Sequence, residues 1–198
     1  DNAWMNAFNN PQTGNNVHTV GTYSGGASDA GNLWMLKEVN SVTLNVTSAG
    51  WATLCLPFAV TLPDDVTAYT GKKIDDSEST ITLTPVDGST LPAMTPVVVE
   101  AKEGSHVLTI AYGDQTPAIE DNLLSGTTVE RTGFAQDAFY TLANGNSGVG
   151  FYGNGNVNAV TANKAYIPRS QSDAAASLRF VFGDNPTVGI DKTHTAAV

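Results

Sequence analysis

The side chains with the widest chemical range here are three histidines, one cysteine and 19 acidic residues. His18, His106 and His194 lie far apart, and no two stand at the spacing of a metal-binding pair. His106 opens a strand directly after the Glu103-Gly104 turn and reads as a surface or edge residue. Cys55 falls inside an apolar strand, where a thiol serves as a small core group rather than a nucleophile. There is no Gly-x-Ser-x-Gly elbow and no phosphate-binding loop. Asp64-Asp65 and Asp75-Asp76 are adjacent carboxylates, and neighbours on an extended chain point apart. No calcium-loop spacing is present. Glycoside hydrolysis needs two carboxyls roughly 5 to 10 Å apart across a cleft, and the sequence singles out no such pair. The expectation is therefore no catalytic residue, no cofactor and no metal.

Sugar binding fits the residue types better than turnover. Carbohydrate sites combine an aromatic face with amide and carboxylate hydrogen-bonding groups. Trp4 lies beside Asn2 and Asn6, and Tyr152 beside Asn154 and Asn156. The glycan-contact candidates are thus Trp4, Asn6, Tyr152 and Asn154. The competing reading is that these aromatics cap a core while the asparagines serve turns. The net charge of -10 argues against nucleic acid or an anionic membrane as partner, and its plainest use is solubility. No stretch approaches the roughly 20 apolar residues of a membrane span, so no membrane insertion is expected. No signal-peptide pattern opens the chain at Asp1, so any targeting segment is expected to have been removed or to lie upstream.

The elements that would carry these residues are strands. Ser48 to Val60 alternates two largely apolar rows and stops at Pro57, the pattern of a central strand covered on both faces. Apolar alternation also predicts strands at Val42–Val46, Val66–Thr70, Thr80–Val86, Pro96–Ala101, His106–Tyr112, Phe139–Ala143, Val149–Tyr152, Ala165–Pro168 and Leu178–Phe182. Tight turns are signalled at Asn144-Gly145 and Asn154-Gly155. Helical periodicity is almost absent. The predicted fold is all-β: a β-sandwich of mostly antiparallel strands, with an N-terminal extended β segment. Leu54, Leu56, Val98, Ile110, Tyr166, Phe180 and Phe182 are expected in its core. A weak internal repeat runs through it. Ala68-Tyr69-Thr70 matches Phe139-Tyr140-Thr141 at an offset of 71, and Leu91 to Val98 matches Val160 to Ile167 at 69. The expected organisation is an N-terminal segment over 1–39 packed on a main module over 40–190, with a loose tail over 191–198.

Two resemblances refine this. Trp4 to Val39, with its aromatic-x-Asn-Ala opening, Val20-Gly21-Thr22-Tyr23 strand and Trp34, resembles one repeat of a ricin-B-type β-trefoil lectin. It departs from that pattern in having Asn32-Leu33-Trp34 for Gln-x-Trp, and a trefoil needs three repeats. From Trp34 to Ile190 the chain resembles a β module found near the C-termini of large secreted or surface proteins of Bacteroidetes. The matching features are Ala49 to Leu54 followed by Leu56-Pro57-Phe58, Val66 to Gly71, Leu91-Pro92-Ala93, Gly148 to Tyr152, Ala162 to Tyr166, and Phe180-Val181-Phe182 to Gly189-Ile190. The resemblance implies a non-catalytic accessory module, extracellular or on the outer cell surface. Such a module would support adhesion or display, with a glycan or another surface protein as partner. Leu33 to Val39 runs into Val42 to Val46 with almost no linker and can pair locally, so the chain is expected to be monomeric. The alternatives are a small glycoside hydrolase or a purely structural spacer.

Overall fold

The computed structural model describes residues 21–24, 35–38, 40–171 and 176–183. In chain order the strands are β1 (Gly21–Ser24), β2 (Met35–Glu38), β3 (Ser41–Val46), β4 (Trp51–Leu54), β5 (Val60–Thr61) and β6 (Val66–Asp75). There follow β7 (Thr80–Pro85), β8 (Thr90–Leu91), β9 (Val97–Ala101), β10 (Gly104–Ile110), β11 (Ser125–Thr127) and β12 (Arg131–Thr132). The last are β13 (Phe139–Gly145), β14 (Gly148–Gly153), β15 (Ala159–Val160), β16 (Lys164–Pro168) and β17 (Ser177–Phe182). One short 3-10 turn, Arg169–Gln171, is the only helical element among the described residues. The protein is all-β, as its alternating apolar rows predict.

The chain divides into two units, Asp1–Val42 and Thr43–Val198. In the first, β1 and β2 form an antiparallel pair from Gly21↔Glu38 to Ser24↔Met35. In the second, a nine-stranded sheet runs in the order β11-β16-β13-β14-β17-β7-β6-β9-β4. A four-stranded sheet, β3-β10-β5-β8, and a two-stranded one, β12-β15, complete the fold. The neighbouring strands of the large sheet pair antiparallel except β17 with β7, which is parallel from Arg179↔Thr80 to Phe182↔Leu83.

The internal repeat is a repeat of topology. Strands β4 to β9 and β11 to β16 follow one path: first strand against sixth, second against fifth, third against both fourth and sixth. The registers agree residue by residue. Tyr69↔Val98 in the first copy corresponds to Tyr140↔Ile167 in the second, offsets of 71 and 69. Met94 and Asn163, also 69 apart, both take φ of 60°, so the turn before the sixth strand is the same turn. Tyr69↔Pro85 corresponds to Tyr140↔Gly153, so across the hairpin the offset drops from 71 to 68. A bulge between Gly71 and Lys73 accounts for one of those residues.

The large sheet encloses the main core: Ile81, Leu83, Val98, Leu124, Tyr140, Phe151, Ile167, Leu178 and Phe180. Leu83 corresponds to Phe151 and Val98 to Ile167, so the two copies contribute matching positions. The outer faces are covered separately. Val97, Val98 and Val99 are all fully buried, so β9 is covered on both sides. Val98 faces the enclosed core. Val97 and Val99 face the other way, where the four-stranded sheet supplies Leu44, Val46, Val60, Leu91 and Leu108. In the second copy, Phe139, Val160 and Tyr166 pack with Phe134 and Ala138.

Two sequence expectations need correction. The Trp51–Leu54 strand is buried, yet it is the edge strand of its sheet rather than a central one, pairing with β9 alone. Its far side is covered because the curled sheet brings the opposite edge near: a Cβ at Gly126 would lie 2.3 Å from Cys55 Sγ. His106 is neither exposed nor on an edge, since β10 lies between β3 and β5 and the ring is 8% exposed. Its Nε2 lies 2.8 Å from Lys102 O and its Nδ1 3.0 Å from Asp65 Oδ2. Of the expected core residues, Leu54, Leu56, Val98, Tyr166 and Phe180 are buried, and Ile110 and Phe182 are half-buried.

Candidate functional site

A groove of about 330 Å³ opens where the first copy meets the second. One wall is the end of β3 and strand β4, with Asn45, Thr47, Trp51, Ala52 and Thr53; the other is Thr141, Leu142, Ala159, Val160, Thr161, Lys164 and Ala165 from β13, β15, β16 and their turns. Hydrogen-bond phase sets what each wall presents. Ala101 N–H donates to Gly50 O at 3.0 Å, which turns the main-chain groups of Ala52 and Leu54 toward β9 and those of Trp51 and Thr53 toward the groove. On the opposite wall, Asn154 N–H donates to Phe139 O at 2.9 Å. Phe139, Thr141 and Ala143 therefore bond to β14, and Leu142 turns its N–H and C=O the other way.

The lining mixes apolar side chains, Ala52, Leu142, Ala159, Val160 and Ala165, with the neutral hydrogen-bonding groups of Asn45, Thr47, Thr53, Thr141 and Thr161. Thr53 is buried, Thr141 half-buried, and Asn45, Thr47, Thr161 and Lys164 are exposed. Among the described residues no carboxylate lines the groove. Trp51 sits at the inner end, its ring 5.1 Å from Phe180, 5.8 Å from Tyr69 and 5.9 Å from Phe182. Beside this cluster the Tyr69 hydroxyl donates to Glu100 Oε2 at 2.9 Å. Burial, then the Glu100 carboxylate, pushes the Tyr69 phenol up to about 12.

Of the residues singled out from the sequence, Asn154 and Tyr152 are not among those lining the groove. Asn154 is buried, and its carboxamide is fully engaged: Oδ1 accepts from Phe139 N–H at 3.1 Å, while Nδ2 donates to Ala135 O and Val157 O. Tyr152 is half-buried. Its hydroxyl accepts from Ser147 N–H at 3.2 Å and donates to Gly148 O at 2.7 Å, closing the β13–β14 hairpin. Both polar groups are thus used within their own loops. Trp4 and Asn6 lie outside the described residues.

Cys55 and Asp75 likewise have structural surroundings, while His18 and His194 lie outside the described residues. Cys55 is a free, buried thiol, and burial pushes its pKa up, away from the thiolate. Asp75 Oδ1 accepts from Ser77 Oγ at 2.6 Å, Ser77 N–H at 3.1 Å and Glu78 N–H at 3.2 Å, which holds its carboxyl below the usual range. Among the described residues no three His, Cys, Asp or Glu side chains converge as a metal site would require. No helix among them is long and apolar enough to cross a membrane.

The groove itself was not visible to sequence reasoning. Its threonines read as ordinary strand residues, and only the repeat offsets could have shown which positions face each other. In comparisons with known proteins the chain matches no family model, no curated protein and no solved structure.

Proposed function

We propose that this chain is a non-catalytic accessory module of an exported bacterial protein, one that supports adhesion or display at the cell surface by holding a glycan in the groove between its two copies. The observation that carries this reading is the groove's lining. Hydroxyl and amide side chains together with the edge of Trp51 suit a polyhydroxylated ligand, and among the described residues the lining brings no carboxylate to serve as the acid or base of glycoside hydrolysis. The resemblance to the C-terminal β modules of Bacteroidetes surface proteins agrees with it and implies a module that works outside the cell.

The test is to incubate the purified chain with a panel of host and plant glycans, following both retention and released sugar. Retention without release is the expected result. Released sugar that vanishes on replacing a single Asp or Glu would make the chain a small glycoside hydrolase. Retention of nothing in the panel would make it a spacer.

A further inference from the structure

The groove repeats, with one piece changed, a site that the protein fills for itself in the first copy. There β6 and β9 pair from Val66↔Ala101 to Tyr69↔Val98 and then separate. The next facing positions are Gly71 and Pro96, and the carboxamide of Asn122 bridges them. Gly71 N–H donates to Asn122 Oδ1 at 3.1 Å, and Asn122 Nδ2 donates to Pro96 O at 2.7 Å. The following residue adds a main-chain bond, Leu123 N–H to Gly71 O at 2.8 Å. An amide suits this place because it offers an acceptor and a donor side by side, spaced to bridge two strands that no longer reach each other.

In the second copy β13 and β16 separate at the same point, after Tyr140↔Ile167. The positions equivalent to Gly71 and Pro96 are Leu142, at the offset of 71, and Ala165, at the offset of 69. Both line the groove. Leu142 turns its main-chain groups away from β14, as shown above. Ala165 is two residues from Ile167, which pairs with Tyr140, so it has the same phase and faces β13. The residue equivalent to Asn122 is Trp51. It sends its ring into the Tyr69–Phe180–Phe182 cluster, and its strand stays paired with β9. The donor and the acceptor are thus retained while, among the described residues, the equivalent position brings no amide side chain to stand between them.

We propose that the groove recognises an amide, and that its ligands are sugars bearing a 2-acetamido group. This rests on the glycan reading of the same groove. The ligand's amide carbonyl accepts from Leu142 N–H and its amide N–H donates to Ala165 C=O. Thr141, Thr161 and Lys164 are left to meet the ring hydroxyls. A carboxylate in that place would accept from Leu142 but bring no proton to Ala165, so acidic sugars lacking the amide are disfavoured.

The experiment is a titration of the labelled full chain, followed by backbone amide shifts, with N-acetylglucosamine and N-acetylgalactosamine against glucose and galactose. The amino sugars should bind about tenfold more tightly, the worth of roughly one to two net hydrogen bonds, with the largest shifts at Leu142 and Ala165. A Thr161→Trp variant, which fills the mouth of the groove, should lose that binding while unfolding at the same temperature. Asn122→Ala should open a second amide site in the first copy, seen as stabilisation of that variant by acetamide beyond that of the native chain. Equal binding of parent hexoses at the groove would overturn the amide inference and leave the glycan module standing. No binding of any sugar would overturn both. Preferential binding of a peptide with the chain's own Ile119–Leu124 sequence would replace the sugar by a peptide as the ligand.

Discussion

Where the first copy of the repeated unit has Ala68 and Val97, the second has Phe139 and Tyr166 at equivalent positions. Ala68 and Val97 lie beneath a sheet of four strands, to which β3 and β10 bring Leu44, Val46 and Leu108. Phe139 and Tyr166 lie beneath a sheet of two. In the second copy the missing strands are replaced by aromatic volume: the Phe134 and Phe139 rings lie tilted 4.7 Å apart, with Tyr166 5.8 Å from Phe134 and 5.6 Å from Phe139. Arg131 covers the outside, 5.6 Å over the Phe134 ring and 3.3 Å from the Tyr166 hydroxyl. One backbone path therefore accepts two kinds of cover, because what a β layer needs on its outer face is filled volume rather than a particular number of strands.

The sharpest way to break this comparison is Phe139→Ala. The side chain is fully buried, so its loss should cost about 3–5 kcal/mol in denaturant unfolding. A cost under about 1 kcal/mol would mean that the second copy's outer layer is not packed. A smaller effect is expected from Asn154→Val, which gives the second copy the residue its counterpart has at Val86. Repeat one closes this corner with a main-chain bond alone, Val86 N–H to Ala68 O. The second also relies on the carboxamide, so the variant should lose about 1–3 kcal/mol by leaving Phe139 N–H unpaired. Retained glycan binding in that variant would separate the residue's structural role from any contact with ligand.

The third prediction concerns the place where the copies touch. Cys55 and Gly126 are equivalent residues and face each other, with no room for a second side chain. Gly126→Ala should cost about 1–3 kcal/mol through overpacking, and less in a Cys55→Gly background. Equal costs in the two backgrounds would show that the copies do not meet there. The smallest effect belongs to Tyr69 and Glu100, whose equivalents are Tyr140 and Arg169, the latter 4.7 Å over the Tyr140 ring. The Tyr69 phenol rises from 10.0 to about 12 in the folded protein. Its contribution is therefore complete below pH 10 and is lost as the pH rises through about 12. Tyrosinate absorbance should show Tyr69 titrating late, moving down in Glu100→Gln but staying above its ordinary value because burial remains.

Much of the strand order was legible because alternation and turn residues report local structure. The offsets of 71 and 69 proved to be the registers of equivalent strand pairs. The five strands of two or three residues, β5, β8, β11, β12 and β15, were not legible, since so short a run has no period to read. Trp51 to Leu54 was expected at a sheet centre because burial on both faces looks the same whether the cover is a neighbouring strand or a curled opposite edge. Nothing in the sequence around Asn122 marks it as a bridge between strands, and its contacts with Gly71 and Pro96 show what it does. Asn154 was expected at a ligand surface for the same reason that makes it structural: a carboxamide bonds as readily to its own loop as to a sugar.

Strand β17 joins the two halves of the large sheet, antiparallel to β14 on one side and parallel to β7 on the other. The partners Ile81 and Phe180 are 99 residues apart (180 − 81). On a ribosome, both repeated units are made before the piece that unites them. Until it arrives, β7 and β14 each end a half-sheet with bare main-chain donors and acceptors, the kind of edge that recruits strands from other molecules. Completion of the sheet is thus a late, long-range closure, slow for entropic reasons. A released chain truncated before Ser177 should therefore be far more prone to aggregate than one truncated a dozen residues later, although both carry every residue of the two repeated units.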